Sequence, residues 1–445
     1  MDLLFIIIFF IFPILIFKYM HKIGIDFFTI SIPSFLVVSI FIFAYIGVLP
    51  LYFGWDEYRF NLGVTNKEIL FKVFLFNCFT ILGILFGFHF SKKFLKLDFN
   101  LTIENISSIS KKDKIFLFYL LVFCFIIFLI YLSKINEIAL FVRISEGYIG
   151  AEISRFNIVR SNMTNAFEGK YHWYSLVMHH ILLVITLVFF ISFLQKQRYA
   201  IILFIISFLL ISFITIMTTE KAPFFWLVIS FFITYIIVKY NSKIPIKKTI
   251  YFSIIIFISL ILLYYFMMYS DTPNGFLYSI KALFSRIFAA SIQPAYHYLE
   301  FFPQHHDFLY GKSFPNPNNM FPFETFYLTQ EIMNFAQPKQ FAYGIIGTMP
   351  TVFWAEAYSN FGLLGIFIVP FIIGIIVWAV QYYISKSENS PIKIALYVWL
   401  ILHFKDLSTT GFSGFIIDFY MIFTIGLFSI YILFDNYYKR RKCIE

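Results

Sequence analysis

The sequence is poor in charge, in cysteine and in the residues that punctuate loops. Only 13% of its 445 residues are Asp, Glu, Lys or Arg, and it holds 3 Cys, 19 Gly and 15 Pro. Average proteins carry about 25% charged residues, so this chain cannot cover a water-facing surface. Two of the cysteines lie in apolar runs and the third in a basic tail, which predicts no disulfide framework. These shortages exclude a soluble enzyme, a disordered chain and a disulfide scaffold.

Motifs for nucleotides and metals are also missing from the sequence. It has no Gly-x4-Gly-Lys-Ser/Thr, no Gly-x-Gly-x-x-Gly and no Gly-x-Ser-x-Gly. His297, His305 and His306 have no carboxylate or cysteine at metal-ligand spacing. The net charge of +10 is what the topology rule for membrane proteins produces, and it does not indicate nucleic acid. We therefore expect no cofactor, no metal and no nucleic-acid partner.

Long apolar runs take up most of the chain, which is 60% hydrophobic and 23% aromatic. A membrane-spanning helix needs about 20 apolar residues, and the sequence offers about eleven such runs. The predicted fold class is an all-α polytopic integral membrane protein, with residues 1–445 forming a single transmembrane domain. We place the spans at 3–17, 27–52, 69–90, 115–132, 173–194, 200–217, 222–238, 250–268, 353–384, 392–404 and 413–434.

Basic clusters set the predicted orientation of these spans. The positive-inside rule places Lys and Arg in cytoplasmic loops, and the strongest clusters lie at 92–114, 239–248 and 439–442. The first run has no basic residue before it and no small-residue cleavage site, so it is predicted to be a retained anchor. The N-terminus is therefore expected on the outer side of the membrane and the C-terminus in the cytoplasm.

Two predicted external loops are long, at 133–172 and 269–352. Connections longer than about 15 residues are usually functional or disordered, and the composition of these two is not that of disorder. The second loop carries an apolar stripe from Phe276 to Phe288, with Lys281 and Arg286 between the apolar positions. This pattern predicts an amphipathic helix at the outer interface.

Ionisable residues near the ends of the spans lie mostly on the predicted outer side. Such groups are costly in a membrane and are functional candidates by default. Glu356 begins the ninth span, Lys405 and Asp406 end the tenth, and the external loops add arginines. Together they form a charged ring suited to an anionic lipid headgroup. The candidate cations are Arg143, Arg155, Arg160, Lys221 and Arg286.

This charge pattern favours chemistry on a lipid-linked diphosphate. Arginine presents a planar fork of donors that matches diphosphate oxygens, and fixed cations stabilise a departing diphosphate. Glycosyl transfer also needs a base to accept the proton of the attacking hydroxyl. Glu356, His297 and Asp406 are the candidates for that base.

Each of these groups also has a purely structural interpretation. The arginines are equally compatible with solvated loop charges, and Arg286 with a side chain that snorkels to lipid phosphates. Lys221 with Glu220, and Lys405 with Asp406, are spaced as local ion pairs. Glu356 and Asn360 are four residues apart, as mutually satisfied polar pairs on a helix often are.

Three segments resemble a known family. They are Arg286-Ile-Phe-Ala-Ala-Ser-Ile-Gln-Pro294, Phe308-Leu-Tyr-Gly-Lys-Ser313 and Gly347-Thr-Met-Pro-Thr-Val-Phe-Trp-Ala-Glu-Ala-Tyr-Ser-Asn-Phe-Gly-Leu-Leu-Gly365. They look like the second large periplasmic loop and following helix of bacterial O-antigen and capsule repeat-unit polymerases, the Wzy-like family. The turn Thr218-Thr-Glu-Lys-Ala-Pro223 resembles the basic turn before a span in the same proteins. The chain departs from some members in lacking an Arg-x10-Gly spacing.

The resemblance implies a fold similar to the GT-C-like glycosyltransferases that use polyprenyl-linked sugars. It implies en bloc transfer of a growing glycan from undecaprenyl diphosphate to a new lipid-linked repeat unit, at the periplasmic face of the inner membrane. A chain-length regulator is an expected partner. Arg286 and Glu356 match the basic and acidic positions of the family segments. With His297 they are the candidate catalytic residues, and the candidate substrate-binding residues are Arg143, Arg155, Arg160, Lys221, Tyr358, Asn360 and Asp406.

Two alternative functions remain open from the sequence. An O-antigen ligase would share the donor chemistry but pass the glycan to another acceptor. A lipid-linked oligosaccharide flippase or other transporter would need polar groups and broken helices near the bilayer midplane, where this sequence is mostly Ile, Leu and Phe.

Overall fold

A computed structural model of the chain describes residues 1–99, 103, 105–146, 155–167, 169–266, 274–338 and 347–442. In these residues the regular structure is helical throughout, and none of them forms an extended strand. We number the main helices α1 Asp2–Ile23, α2 Ile32–Tyr52, α3 Glu57–Asn61, α4 Lys67–Lys93, α5 Lys111–Lys134, α6 Ala139–Glu146, α7 Arg155–Asn165, α8 Tyr171–Leu194, α9 Ala200–Met217, α10 Lys221–Tyr240, α11 Ile246–Tyr264, α12 Gly275–Phe301, α13 Leu328–Ala336, α14 Trp354–Lys386, α15 Pro391–Lys405 and α16 Phe412–Tyr431.

Eleven of these helices are long and apolar enough to cross a membrane. Ten of them coincide with spans predicted from the sequence, which confirms the multi-pass helical character of the chain. The eleventh is α12, which the sequence placed inside an external loop. Its mean hydropathy of 1.2 is the lowest of the eleven, because polar residues interrupt its apolar stripe.

The predicted span at 392–404 forms a helix too short to count among the eleven. Helix α15 has 15 residues and gives way at Asp406–Ser408 to a single tight turn. A membrane-spanning helix needs about 20 residues, so α15 falls short by more than one turn.

Three of the long helices contain a turn of π-helix. These wider turns lie at Phe41–Tyr45 in α2, Leu176–Ile181 in α8 and Ser285–Ala289 in α12. Single π-turns inside α-helices are frequent at functional sites. The turn in α12 carries Arg286, one of the predicted site residues.

The described residues divide into two compact units. Unit 1 comprises Met1–Leu101, Ile246–Lys386 and His403–Ile417, and unit 2 comprises Thr102–Pro245, Ser387–Leu402 and Asp418–Glu445.

Polar contacts at both ends of α1 fix the direction of the first helices of unit 1. Asp2 accepts hydrogen bonds from the Tyr52 hydroxyl at 2.8 Å and from Lys67 Nζ at 3.0 Å. At the other end, Lys92 Nζ donates to the Ile23 carbonyl at 2.6 Å. The start of α1, the end of α2 and the start of α4 therefore share one end of unit 1, which we call the Asp2 end.

Glycines bring α4 and α14 into close backbone contact in unit 1. A Cβ added at Gly87 would lie 2.4 Å from the Phe371 carbonyl oxygen, and one at Gly374 would lie 2.3 Å from the Ile84 carbonyl oxygen. Small residues at such contacts let apolar helices associate in a membrane. Gly83 near Pro370 and Gly87 near Gly374 keep the same order along both helices, so α4 and α14 run in the same direction.

Helix α14 bends near its start, at Gly362. This residue has φ of 59°, a left-handed conformation that glycine adopts without steric cost. Before the bend, Trp354 Nε1 donates to Asn77 Oδ1 at 2.8 Å, well inside α4. The first turns of α14 therefore pack against the interior of the helix bundle.

Unit 2 is built around α8, most of which is buried. Helices α5, α9 and α10 pack against it. The short helix α7 is held to α5 by the Tyr131 hydroxyl, which donates to the Met163 carbonyl at 3.0 Å. A helix within the predicted first external loop is therefore held against the end of α5.

Candidate functional site

The Glu356 carboxylate lies buried at the start of α14, where it is 7% exposed. Three neutral donors reach it. The Ser313 hydroxyl donates to Oε1 at 2.8 Å, the Ser413 backbone N–H donates to Oε2 at 3.1 Å, and the Ser413 hydroxyl donates to Oε1. A carboxylate held in this way joins three segments that are far apart in sequence.

Asn360 completes the same network one helical turn later. Its Nδ2 donates to the Ser313 hydroxyl at 2.8 Å and to the Glu356 backbone carbonyl at 2.9 Å. Its Oδ1 accepts from the Gly311 N–H at 2.8 Å. Glu356 and Asn360 are therefore linked, but indirectly. The Asn360 side chain bonds to the Ser313 hydroxyl and to the Glu356 backbone carbonyl, and Ser313 in turn bonds to the Glu356 carboxylate.

Gly411 lets the chain pass close to this carboxylate. A Cβ added there would lie 2.3 Å from Glu356 Oε2, closer than real Cβ atoms come to a neighbour, so the buried carboxylate would have to shift. Neither serine nor this glycine was predicted from the sequence, because Ser313 and Ser413 lie 43 and 57 residues from Glu356. We call Ser313, Glu356, Asn360, Gly411 and Ser413 the Glu356 cluster.

Two other predicted residues lie beside this cluster in sequence and have simpler surroundings. The Tyr358 ring packs against Phe76 and Phe308, at centroid distances of 5.6 Å each. Asp406 forms an ion pair with the adjacent Lys405. The local ion pair between Lys405 and Asp406, which their spacing in the sequence suggested, is therefore present in the structure.

Arg286 occupies the π-turn of α12 with its guanidinium exposed. Among the residues that the structure describes, none hydrogen-bonds to it or forms an ion pair with it. The preceding residue is held tightly: the Ser285 hydroxyl donates to Asp56 Oδ2 at 2.7 Å and accepts from Arg59. Asp56 and Arg59 form an ion pair of 2.8 Å in which both side chains are buried.

This buried ion pair also fixes where Arg286 lies. Asp56 and Arg59 belong to the segment that joins α2 to α4, so the π-turn lies at the Asp2 end of unit 1. Sequence reasoning missed the pair. The signal was available, since Asp56 and Arg59 are three residues apart at the start of a short helix.

His297 lies in the buried second half of α12. Its Nδ1 is 3.3 Å from Glu300 Oε2, and its Nε2 is buried without a hydrogen-bond partner in the described residues. In the neutral tautomer that donates from Nδ1 to Glu300, the imidazole keeps its lone pair on Nε2. Glu300 was not predicted, and the statement from the sequence that no carboxylate lies at ligand spacing from His297 is wrong, because Glu300 is one helical turn away.

The predicted arginines of the first loop lie in unit 2, and two of them are engaged by carboxylates. Arg155 pairs with Glu137, and Arg160 pairs with Glu220 at 2.8 Å. The Arg143 guanidinium lies 5.1 Å from the centre of the Phe156 ring. Lys221 is the first residue of α10. Glu220, which precedes Lys221 in the sequence, binds an arginine 60 residues away.

The predicted site residues are therefore divided between the two units. Unit 1 holds Arg286, His297, Glu356, Tyr358, Asn360 and Asp406, and unit 2 holds Arg143, Arg155, Arg160 and Lys221. In the described part of the chain, no three His, Cys, Asp or Glu side chains are grouped as ligands of a metal ion.

The eleven apolar helices define the class of this protein, a multi-pass α-helical membrane protein. Comparisons with protein-family models, with curated proteins and with solved structures find no match.

Proposed function

We propose that the protein is a bacterial inner-membrane glycosyltransferase that polymerises oligosaccharide repeat units carried on undecaprenyl diphosphate. The product is an O-antigen or capsule glycan. One observation carries the proposal: α12 bears both Arg286, which has no hydrogen-bond or ion-pair partner among the described residues, and an oriented imidazole, His297. Eleven residues separate them, which is about 16 Å along a helix at 1.5 Å per residue.

The reaction assigned to these groups is a glycosyl transfer. A hydroxyl oxygen of the incoming repeat unit attacks the anomeric carbon of the growing glycan, and the bond from that carbon to the diphosphate breaks. The bonding electrons leave with the diphosphate, whose added negative charge Arg286 stabilises. The proton of the attacking hydroxyl passes to His297 Nε2, and Glu300 stabilises the resulting imidazolium.

His297 suits the role of base better than the other two candidates. Glu356 already accepts hydrogen bonds from two hydroxyls and one N–H, and Asp406 is paired with Lys405. We therefore assign Glu356 to holding the segments around Ser313 and Ser413 against α14, together with Asn360. Tyr358, which packs against Phe76 and Phe308, and Asp406, which pairs with Lys405, are assigned no direct part in the reaction.

The placement at the periplasmic face is supported by the charge distribution of unit 1. Arg286 lies at the Asp2 end, whereas Lys92 and Lys93 lie at the end of α4 opposite to it. By the positive-inside rule, the lysine end faces the cytoplasm. Within unit 2, Arg155 and Arg160 are proposed to bind a lipid diphosphate, which requires them to exchange their carboxylate partners for diphosphate oxygens.

The test is polymer formation by purified variants reconstituted with the lipid-linked repeat unit. We expect Arg286→Ala to lower the rate about 10²–10³-fold, as loss of one charge-stabilising donor does, and His297→Gln about 10²–10⁴-fold, as loss of a base does. Lys281→Ala is the matched control, because Lys281 is exposed on the same helix and should be dispensable.

Polymer of normal length from both variants, at normal protein level, would refute the site assignment. A strain lacking the protein tests the reaction itself. Single repeats on the surface lipid, restored to a ladder by the wild-type gene, support a polymerase. Complete loss of repeat-bearing lipid would instead indicate a ligase or a flippase.

A further inference from the structure

Two buried nitrogen atoms on α12 lack hydrogen-bond partners in the described part of the chain. They are Gln293 Nε2 and His297 Nε2, in side chains that are 7% and 3% exposed. Buried polar atoms are paired in the great majority of cases, so each exception calls for an explanation. Residues four apart lie on one face of a helix, with Cβ atoms about 5–6 Å apart.

The two atoms have opposite hydrogen-bonding character. The Gln293 amide nitrogen can only donate. His297 Nε2 accepts when the neutral imidazole donates its proton from Nδ1 to Glu300, the tautomer that fits their 3.3 Å contact. The group that satisfies both at once must accept one hydrogen bond and donate another. A hydroxyl does so, whereas a phosphate, a carboxylate or a carbonyl oxygen would satisfy Gln293 alone.

We propose that Gln293 and His297 form a binding site for one hydroxyl group of the acceptor sugar. This inference rests on the proposed function and adds the residue that holds the attacking oxygen. Gln293 donates to that oxygen, which turns the O–H bond toward His297 Nε2. A buried water has the same hydrogen-bonding capacity, so the experiment must distinguish a water site from a sugar site.

The chosen variant is Gln293→Leu, which keeps the size of the side chain and removes its donor. We expect KM for the acceptor repeat unit to rise roughly tenfold or more, since a hydroxyl that loses its partner binds correspondingly more weakly. KM for the polymerised donor should stay within about twofold of wild type. The melting temperature should be unchanged or higher, because a buried amide without a partner is replaced by an apolar group.

Tyr298→Phe is the matched control. It removes a buried hydroxyl from the same helix, one that donates to the Met349 carbonyl at 3.1 Å and lies outside the proposed site. We expect it to lower the melting temperature and to leave acceptor KM unchanged. The substrate is the lipid-linked repeat unit isolated from a strain lacking this protein.

A second measurement uses an acceptor analogue whose attacking hydroxyl is replaced by hydrogen. As an inhibitor it should bind the wild-type protein more weakly than the normal acceptor binds, and Gln293→Leu should reduce that difference to the part that His297 contributes. If wild type binds both equally, or if Gln293→Leu retains normal acceptor KM, the pair holds only water and the inference is wrong. These outcomes leave the proposed function standing, which fails only if Arg286→Ala and His297→Gln keep full activity.

Discussion

At the scale of single residues, the Glu356 cluster shows how a buried carboxylate organises irregular backbone. Non-helical segments at membrane depth are tolerated where protein surrounds them and satisfies their polar groups. Here Ser413 and Gly311 donate their backbone N–H groups to the side chains of Glu356 and Asn360, respectively. The Gly311 N–H belongs to a turn, and the Ser413 N–H is among the first of α16, which have no partner within their own helix, so the cluster supplies the partners that both would lack.

Gly411 gives a test of this cluster. We expect Gly411→Ala to destabilise the fold by about 1–3 kcal/mol, because its Cβ would overlap Glu356 Oε2 and overpacking carries a cost of that size. The measurement is thermal unfolding in detergent. Gly414→Ala is the control, since a Cβ at Gly414 meets nothing within 4 Å. Equal melting temperatures for the two variants would show that Gly411 is not needed for the close approach.

At the scale of elements, the π-turn of α12 depends on a buried ion pair in another segment. Asp56 and Arg59 both contact Ser285, the residue next to Arg286. A buried ion pair is weak evidence for stability as a whole, but removing one partner leaves an uncompensated charge. By binding Ser285, the ion pair holds this turn of α12 in place and thereby fixes the position of the adjacent Arg286.

We expect Asp56→Ala to destabilise the protein by about 3–5 kcal/mol, because it leaves the Arg59 guanidinium buried without a counter-charge. The double variant Asp56→Ala with Arg59→Met should be less destabilised than the single one. Thermal unfolding of both variants provides the comparison.

An exposed ion pair of the same unit serves as the control. Lys67 and Asp2 are 46% and 53% exposed, so Lys67→Ala should cost no more than about 1 kcal/mol. If Asp56→Ala were no more harmful than Lys67→Ala, the buried pair would not hold the turn.

At the scale of the whole molecule, the directions of α1, α2 and α4 in unit 1 follow from contacts at their ends. The Asp2 end gathers the start of α1, the end of α2 and the start of α4, and basic residues collect at the opposite end of α4. Placing the Asp2 end outside is a prediction from those charges.

The prediction for the whole molecule is that Asn61 faces the periplasm and Lys93 the cytoplasm. Both are exposed in unit 1. With Cys443 replaced by serine, Asn61→Cys should react with a membrane-impermeant thiol reagent in cells whose inner membrane is intact. Lys93→Cys should react only after that membrane is opened. The native Cys78 and Cys124 are buried and provide a low background. The reverse labelling pattern would invert the topology and remove Arg286 from the periplasmic face.

Much of the fold was predictable because its causes are local. Burying an apolar run in lipid requires only that the run be long enough, so ten spans could be found without knowledge of any contact. Helix α12 escaped prediction as a continuous long helix because its first half is amphipathic and its second half is buried by neighbours from distant parts of the chain. Residues Ile292–Leu299 are all buried, polar members included.

The candidate site was predictable only as a list of residue types. The sequence by itself determined that the protein is helical, that it belongs in a membrane and that Arg286, His297 and Glu356 are the polar groups to explain. Only the tertiary structure decided which contacts these and the other candidate residues make. Glu356 is bound by three donors, Arg160 is paired with Glu220, and Arg286 is unpaired within the described residues. The reason is physical, since hydropathy adds up along a segment, whereas a hydrogen bond depends on which distant segment the fold brings within about 3 Å.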